Sequence, residues 1–238
     1  MMPDDVASLW VYLSERPLTW LTVTVGAYAI ADQVAMRARR HPLLNPVVIA
    51  ALLVIALLTL TGTPFPVYFE GAQFVHFMLG PATVALGIPL YQQMYHIRAM
   101  WRPIVVTLPI AATMAAVYAV VIGWALGATP EVLASLAPKS VTAPIAIGIT
   151  EQLGGSVPLM MGGLLITGVV ATLFVDLLAR LLPVQDERIL GFALGLNGHA
   201  IGTARAFEIS HAAGAFASLG MGLTGVFTAL ILPLVFRL

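Results

Sequence analysis

From Val157 to Leu182 the chain is a continuous apolar run, interrupted by Asp176 and closed by Arg180 near its end. A helical run of this length crosses the roughly 30 Å hydrocarbon core of a bilayer, which takes about twenty residues. In hydrocarbon each backbone N–H and C=O has to be satisfied within the segment, so such a run folds as a helix. The rest of the sequence agrees, with 60% apolar residues, 9% charged residues and a mean hydropathy of +0.96. Soluble domains are about a quarter charged. The expected fold class is an all-α polytopic membrane protein of about six to eight transmembrane segments.

Composition excludes several function classes. The formal net charge is zero and the basic residues are scattered or in short clusters, which leaves no footprint for nucleic acid. With no cysteine, disulfides, thiolate metal sites and Cys catalysis are ruled out, and no metal or cofactor is expected. The N-terminus lacks a basic n-region, so no cleavable signal peptide is expected.

Residues 1–17 read as an N-terminal interfacial helix, with Val6, Leu9, Trp10 and Leu13 at helical spacing ahead of Arg16-Pro17. Residues 18–238 read as one transmembrane domain. Its first span, about Leu18 to Met36, ends in Arg37-Ala38-Arg39-Arg40-His41, which the positive-inside rule places in the cytoplasm. A second span follows from Pro46 to about Leu60. A third, Val67 to Tyr91, contains Gly80-Pro81, where two half-helices are expected because proline removes a donor and collides with the preceding turn. Spans from Pro103 to Leu126, Val157 to Leu182, Ile189 to Phe207 and Gly214 to Phe236 complete the pattern, together with a broken segment from Glu131 to Leu153. Gly191, Gly195, Gly198, Gly202 and Ala206 form a small-residue stripe suited to close backbone packing and to a homo-oligomer.

The broken segment is the centre of interest. Leu136-Ala137-Pro138-Lys139-Ser140-Val141-Thr142-Ala143-Pro144 is polar, carries helix breaks at Pro138 and Pro144, and holds the only lysine. Broken backbone at membrane depth normally lines a cavity or is buried in protein. A half-helix starting near Pro138 would turn its free amides toward Lys139, Ser140 and Thr142, a setting for a small carboxylate. The alternative is a lysine snorkelling to the interface. A match at an offset of 57 pairs Leu79-Gly80-Pro81-Ala82-Thr83-Val84 with residues 136–141, and Pro46-Val47-Val48-Ile49 with Pro103-Ile104-Val105-Val106. It defines candidate repeats 46–102 and 103–159, adds Pro81 as a break and Thr83 as a substrate-binding candidate, and suggests a transport site between repeats.

A second cluster runs from Asn197 to Glu208. On a helix His199 and Thr203 share a face, as do Arg205 and Glu208. His199 is a candidate for substrate binding or proton coupling, or a structural hydrogen bond; Asn197 and Thr203 join the substrate-binding set. Arg205 and Glu208 read as a structural or gating pair. Glu151, beside Gly154-Gly155, is a coupling candidate at the water boundary, and Asp176 stands isolated in its span. Hydrolase motifs are absent, and a Lys139/Ser140 dyad would have adjacent, diverging side chains, so no enzyme activity is expected.

If every segment crosses, Arg98/Arg102 and Arg180/Arg188 fall on opposite sides, against the charge rule. A re-entrant Pro138 segment puts both basic loops inside, and an equivalent Pro81 segment moves them again.

These motifs resemble one family. Pro138-Lys139-Ser140-Val141-Thr142-x-Pro144-Ile145-Ala146, Glu151-Gln152-x-Gly154-Gly155, His199-Ala200-Ile201-Gly202-Thr203-Ala204-Arg205-Ala206-x-Glu208 and Gly214-Ala215-Phe216-Ala217 look like the LrgB/CidB family. Leu44-Asn45-Pro46 and the stretch from Gly80 to Tyr91 fit as well, so the likeness covers nearly all the chain beyond residue 17. Asn197-Gly198 and Asp176 look particular to this sequence. The resemblance implies a bacterial inner-membrane protein related to the plastidic glycolate/glycerate translocator. It implies either a carrier of small organic acids such as glycolate, glycerate or pyruvate, or a holin/antiholin-like modulator of murein hydrolase activity and cell lysis. A small LrgA-like membrane protein is the partner it suggests.

Overall fold

The computed structural model describes residues 16–85, 87–182 and 184–236, apart from a few side chains in the third helix and beyond it. The interfacial helix expected over residues 4–16 lies almost wholly outside the described residues. All regular structure among them is helical, as expected of a polytopic membrane protein. The chain forms two compact units that divide after Ala85.

In the first unit, α1 (Pro17–Arg37), a 3₁₀ turn (Pro42–Leu44), α2 (Pro46–Thr61) and α3 (Phe65–Ala85) follow in order. Asn45 caps α2 by accepting from the Val47 amide, and Gly62 ends it in the left-handed region at φ 65°. Trp20 is fully buried and meets the Tyr68 ring edge-to-face at 5.9 Å. Asp32 pairs with Arg40 at 2.6 Å, beside the basic turn. The break expected at Pro81 is not there: α3 continues through it. Proline costs a helix one hydrogen bond, which membrane helices absorb by local adjustment. The two stretches matched at an offset of 57 thus take different forms, helix through Pro81 and a turn at Pro138.

The second unit contains α4 (Gly87–Gln92), α5 (Met94–Ala99), α6 (Trp101–Ala125), α7 (Pro130–Leu136), α8 (Ala143–Gln152), α9 (Val157–Leu181), α10 (Glu187–Ile209) and α11 (His211–Val235). Among the described residues, α6, α9 and α11 have the length and apolarity to cross a membrane, with mean hydropathies of 2.2, 2.0 and 1.9.

The other elements of this unit include two helical hairpins that enter and return. In the first, α7 runs in, residues 137–142 turn, and α8 runs back. The Ser156 amide donates to Ser135 Oγ at 2.7 Å, and a Cβ on Gly155 would lie 2.8 Å from the Ser135 nitrogen. A continuous helical path would separate Ser135 from Ser156 by about 30 Å at the helical rise. Ser135 also donates to the Glu131 carbonyl at 2.7 Å, so a single buried hydroxyl closes the hairpin's base.

The second hairpin corrects the expectation of a seventh span. At His199 the backbone of α10 leaves helical geometry, with φ 43° and ψ −131°, and the chain reverses. Five contacts establish the reversal. A Cβ on Gly202 would overlap the Leu194 carbonyl, eight residues earlier. Gly191 and Gly195 press on the Ala213 and Ala217 carbonyls, so residues 187–198 run parallel to α11. Phe207 lies against Gly214 and Thr203 against Met221, so residues 200–209 run antiparallel to it. The small-residue stripe therefore divides: Gly191 and Gly195 admit α11, and Gly202 admits the hairpin's own first arm. Asp186 caps the entry by accepting from the Arg188 amide at 2.9 Å, and the hydrogen bond from the Arg188 side chain holds its carboxyl below the usual range.

The hairpins are inserted from opposite ends of α9. The first joins the start of α9 through residues 153–156, and the second joins its end through residues 182–186. Gly123 of α6 abuts Leu133 of α7, so α6 ends at the face where the first hairpin enters. Arg98, Arg102, Arg180 and Arg188 therefore share the opposite face, the arrangement expected of the cytoplasmic side. Because the chain lacks cysteine, single introduced thiols test this directly. Cysteines at Gln185 and His211 are expected to react with an impermeant thiol reagent only once cells are opened, and a cysteine at Thr129 in intact cells. Opposite sidedness for Gln185 and His211 would rule out the second hairpin.

Candidate functional site

The two hairpin tips converge on the first half of α9. Lys139 Cβ lies 3.8 Å from the position of a Cβ on Gly163, next to the Leu164 carbonyl, which accepts from His199 Nε2 at 2.9 Å. The imidazole rests on Gly168, where a Cβ would stand 2.8 Å from Cε1 and 3.0 Å from Nε2. Gly163 is six residues into α9 and Gly168 eleven, about 9 and 17 Å at the helical rise, so the tips meet α9 along its length and not at its end.

At the first tip, Pro138, Ser140 and Val141 are buried and Lys139 is half-buried. Lys139 Nζ donates to Ser140 Oγ at 3.3 Å and lies 5.0 Å from the centre of the Tyr118 ring on α6. The head group is turned onto α6, not toward the interface as snorkelling requires. The half-helix expected to begin at Pro138 begins instead at Ala143. Pro138 sits in the turn, and Pro144 opens α8 in its first turn, where a missing N–H costs nothing, so it starts a helix and does not break one. Thr142 is the N-cap residue, but its hydroxyl makes no capping bond.

At the second tip His199 is 1% exposed. Because its partner is a carbonyl, Nε2 carries the proton and Nδ1 is the nitrogen free to accept one. The Thr203 hydroxyl donates to the His199 carbonyl at 2.8 Å, which holds the reversal. Asn197 donates to the Ala193 carbonyl at 3.0 Å along its own arm.

Lys139, Ser140, His199 and Thr203 thus belong to the tips, with Thr142 and Asn197 on their flanks. The other sequence candidates lie elsewhere. Glu151 is exposed at the far end of α8. Arg205 donates to Glu208 and to Asp176, each at 2.9 Å, fastening the return arm of the second hairpin to α9 near the basic face. Asp176, isolated in the sequence, is therefore half of an inter-helix ion pair. Thr83 belongs to α3 in the first unit, and its side chain lies outside the described part. Sequence reasoning missed Tyr118, Gly163, Leu164 and Gly168. Only the paired glycines Gly162-Gly163, with Gly168 beyond them, hinted at close approach; a backbone carbonyl and a lone tyrosine carry no spacing signal.

Comparison with known proteins follows the chain from end to end. Residues 24–238 match the model of the LrgB-like family. An uncharacterized protein of Haemophilus influenzae is 31% identical over 91% of this chain and 93% of its own length. Proteins named "Antiholin-like protein LrgB" from Bacillus mycoides and Bacillus cereus are 28% and 27% identical, each over 92% of this chain and 95% of theirs. No solved structure matches.

Proposed function

The chain belongs to the LrgB-like family, and from that premise we propose that it carries small monocarboxylates across the bacterial cytoplasmic membrane through the junction of its two hairpin tips. One observation carries this reading. Lys139 holds an ammonium at membrane depth, and among the described residues its polar partners are a neutral hydroxyl and an aromatic face, with no carboxylate paired to it. A desolvated cation without a counter-ion attracts an anion. Hairpins that reach this point from opposite faces supply what transport needs, a midplane site on broken helices with an approach from each side. A glycolate, glycerate or pyruvate-sized acid suits an ammonium and a hydroxyl on one short turn.

His199 gives this site a means of coupling to protons. Like charges oppose each other, so a proton on Nδ1 becomes favourable once a bound carboxylate offsets Lys139. Replacement of His199 by glutamine is expected to flatten the pH dependence of uptake; an unchanged profile removes His199 as the proton carrier.

A second reading is an antiholin-like modulator of murein hydrolase activity and lysis. The names of the Bacillus relatives favour it more directly than they favour transport. Reconstituted vesicles separate the two. A carrier gives saturable uptake of one of radiolabelled glycolate, glycerate, pyruvate or lactate and excludes an uncharged sugar. Leakage of all solutes alike favours the modulator. Adding a small LrgA-like membrane protein to the same vesicles tests the proposed partner.

A further inference from the structure

We infer that Tyr118 is the positioning residue for the Lys139 site: its ring face holds the ammonium at the hairpin junction in the empty protein. This rests on Lys139 being the group that receives the anion. Lysine has a flexible four-carbon stem and a point charge, and left alone in an apolar layer it swings toward water. Two contacts prevent that. The stem passes Gly163, with Cβ 3.8 Å from where a side chain there would begin. The head group lies 5.0 Å from the Tyr118 ring centre, inside the roughly 6 Å range of a cation–π contact. The ring quadrupole thus takes the place of a counter-ion on one side of the ammonium, and the other sides remain for Ser140 and an incoming carboxylate.

The geometry of α6 explains how Tyr118 gets there. Ala112, Ala115, Ala119 and Gly123 are buried on the face of α6 that meets the rest of the unit. Gly123 lets the first hairpin come close, with Leu133 fitted against it. Tyr118 stands beside this stripe, 41% exposed, and its ring projects to the height of the tip. Since the contact uses the ring face, the hydroxyl is dispensable and the aromatic system is not. A pre-held head group binds its anion without first losing rotamer freedom, so the loss of Tyr118 appears in affinity more than in turnover.

Lys139 is the only lysine, so an amine-reactive acylating reagent reads its surroundings directly, with the Lys139 peptide resolved by mass spectrometry. Full-length protein in vesicles is labelled as wild type and as the Tyr118→Phe, Tyr118→Trp and Tyr118→Leu variants. Phe and Trp are expected to label within about twofold of wild type, and Leu about fivefold or more faster, in line with a partly desolvated cation–π contact. In uptake assays Leu raises KM about tenfold with kcat within about twofold, and Phe restores the wild-type KM. Wild-type labelling in the Leu variant overturns the inference, as does a Phe variant as altered as Leu. If Leu does not accumulate, Tyr118→Ile, which also lacks a ring face, is labelled in its place, and wild-type labelling of that variant overturns the inference. If wild-type vesicles show no saturable uptake, the transport reading falls while the labelling series still decides whether Tyr118 holds Lys139.

Discussion

Vesicles containing the Lys139→Ala variant are expected to lose the saturable component of small-acid uptake, with kcat/KM down about 10- to 150-fold. That is the equivalent of one charge-assisted hydrogen bond of about 1.5–3 kcal/mol. The effect is large because nothing nearby can substitute: among the described residues the chain brings no second cation to the hairpin tips, and Arg205 is engaged with Asp176 and Glu208. Lys139→Arg keeps the charge and can stack on Tyr118, but its larger planar fork places the donors differently toward Ser140 and an incoming carboxylate, so an intermediate rate is expected. Initial rates over a range of acid concentrations, with protein content matched, make the comparison. An alanine variant that transports at the wild-type rate rules out Lys139 as the anion's partner.

The second large effect is structural. Gly195→Ala and Gly202→Ala are each expected to prevent the second hairpin from closing, because the added methyl would overlap the Ala217 or Leu194 carbonyl. Those atoms are backbone atoms of packed helices and cannot step aside as a flexible side chain can. Overpacking of this kind costs about 1–3 kcal/mol and more where the backbone must move. Gly162→Ala in α9 and Gly222→Ala in α11 are the controls, because nothing lies within 4 Å of either new methyl. They are expected to be neutral or slightly stabilising, since alanine favours helix over glycine by up to about 1 kcal/mol. Thermal unfolding in detergent reads both pairs. Equal melting temperatures for Gly195→Ala and Gly222→Ala would contradict the parallel packing of the first arm on α11.

The sequence showed where helices begin and end much better than where the chain turns back. Pro46 marks a helix start and Gly154 a stop, because their backbone constraints are local, whereas Pro144, expected to break a helix, opens α8. The basic loops were compatible with a re-entrant Pro138 segment, but an equivalent Pro81 segment reversed that outcome, so charge bias alone left the crossing count open. The reversal at His199 left no such mark. Gly198, His199 and Ala200 continue a helical pattern without proline, and the turn depends on Leu164 accepting the imidazole and on Gly202 lying against Leu194. Those contacts are tertiary, and residue spacing does not encode them. Pro81 misled in the opposite direction: proline strains a helix, but a long apolar segment with packed neighbours carries on through it. For the site, residue type alone singled out Lys139 and His199. Their meeting on α9 depends on two chain reversals.

The hairpins also set the order in which the molecule can be completed. Ribosomal synthesis delivers Pro130–Gln152 before α9 exists, and Glu187–Ile209 before α11. Neither hairpin rests easily in lipid alone, since its tip carries polar side chains, Lys139 and Ser140 in the first and His199 and Thr203 in the second. Both must therefore wait at the membrane surface, the first until α9 has inserted and the second until α11 has. The site is then the last part of the protein to form, and it forms only after the C-terminal helix has entered the membrane. Truncation within α11 is expected to leave the arms of the second hairpin without the helix they pack on, so that the hairpin junction does not form.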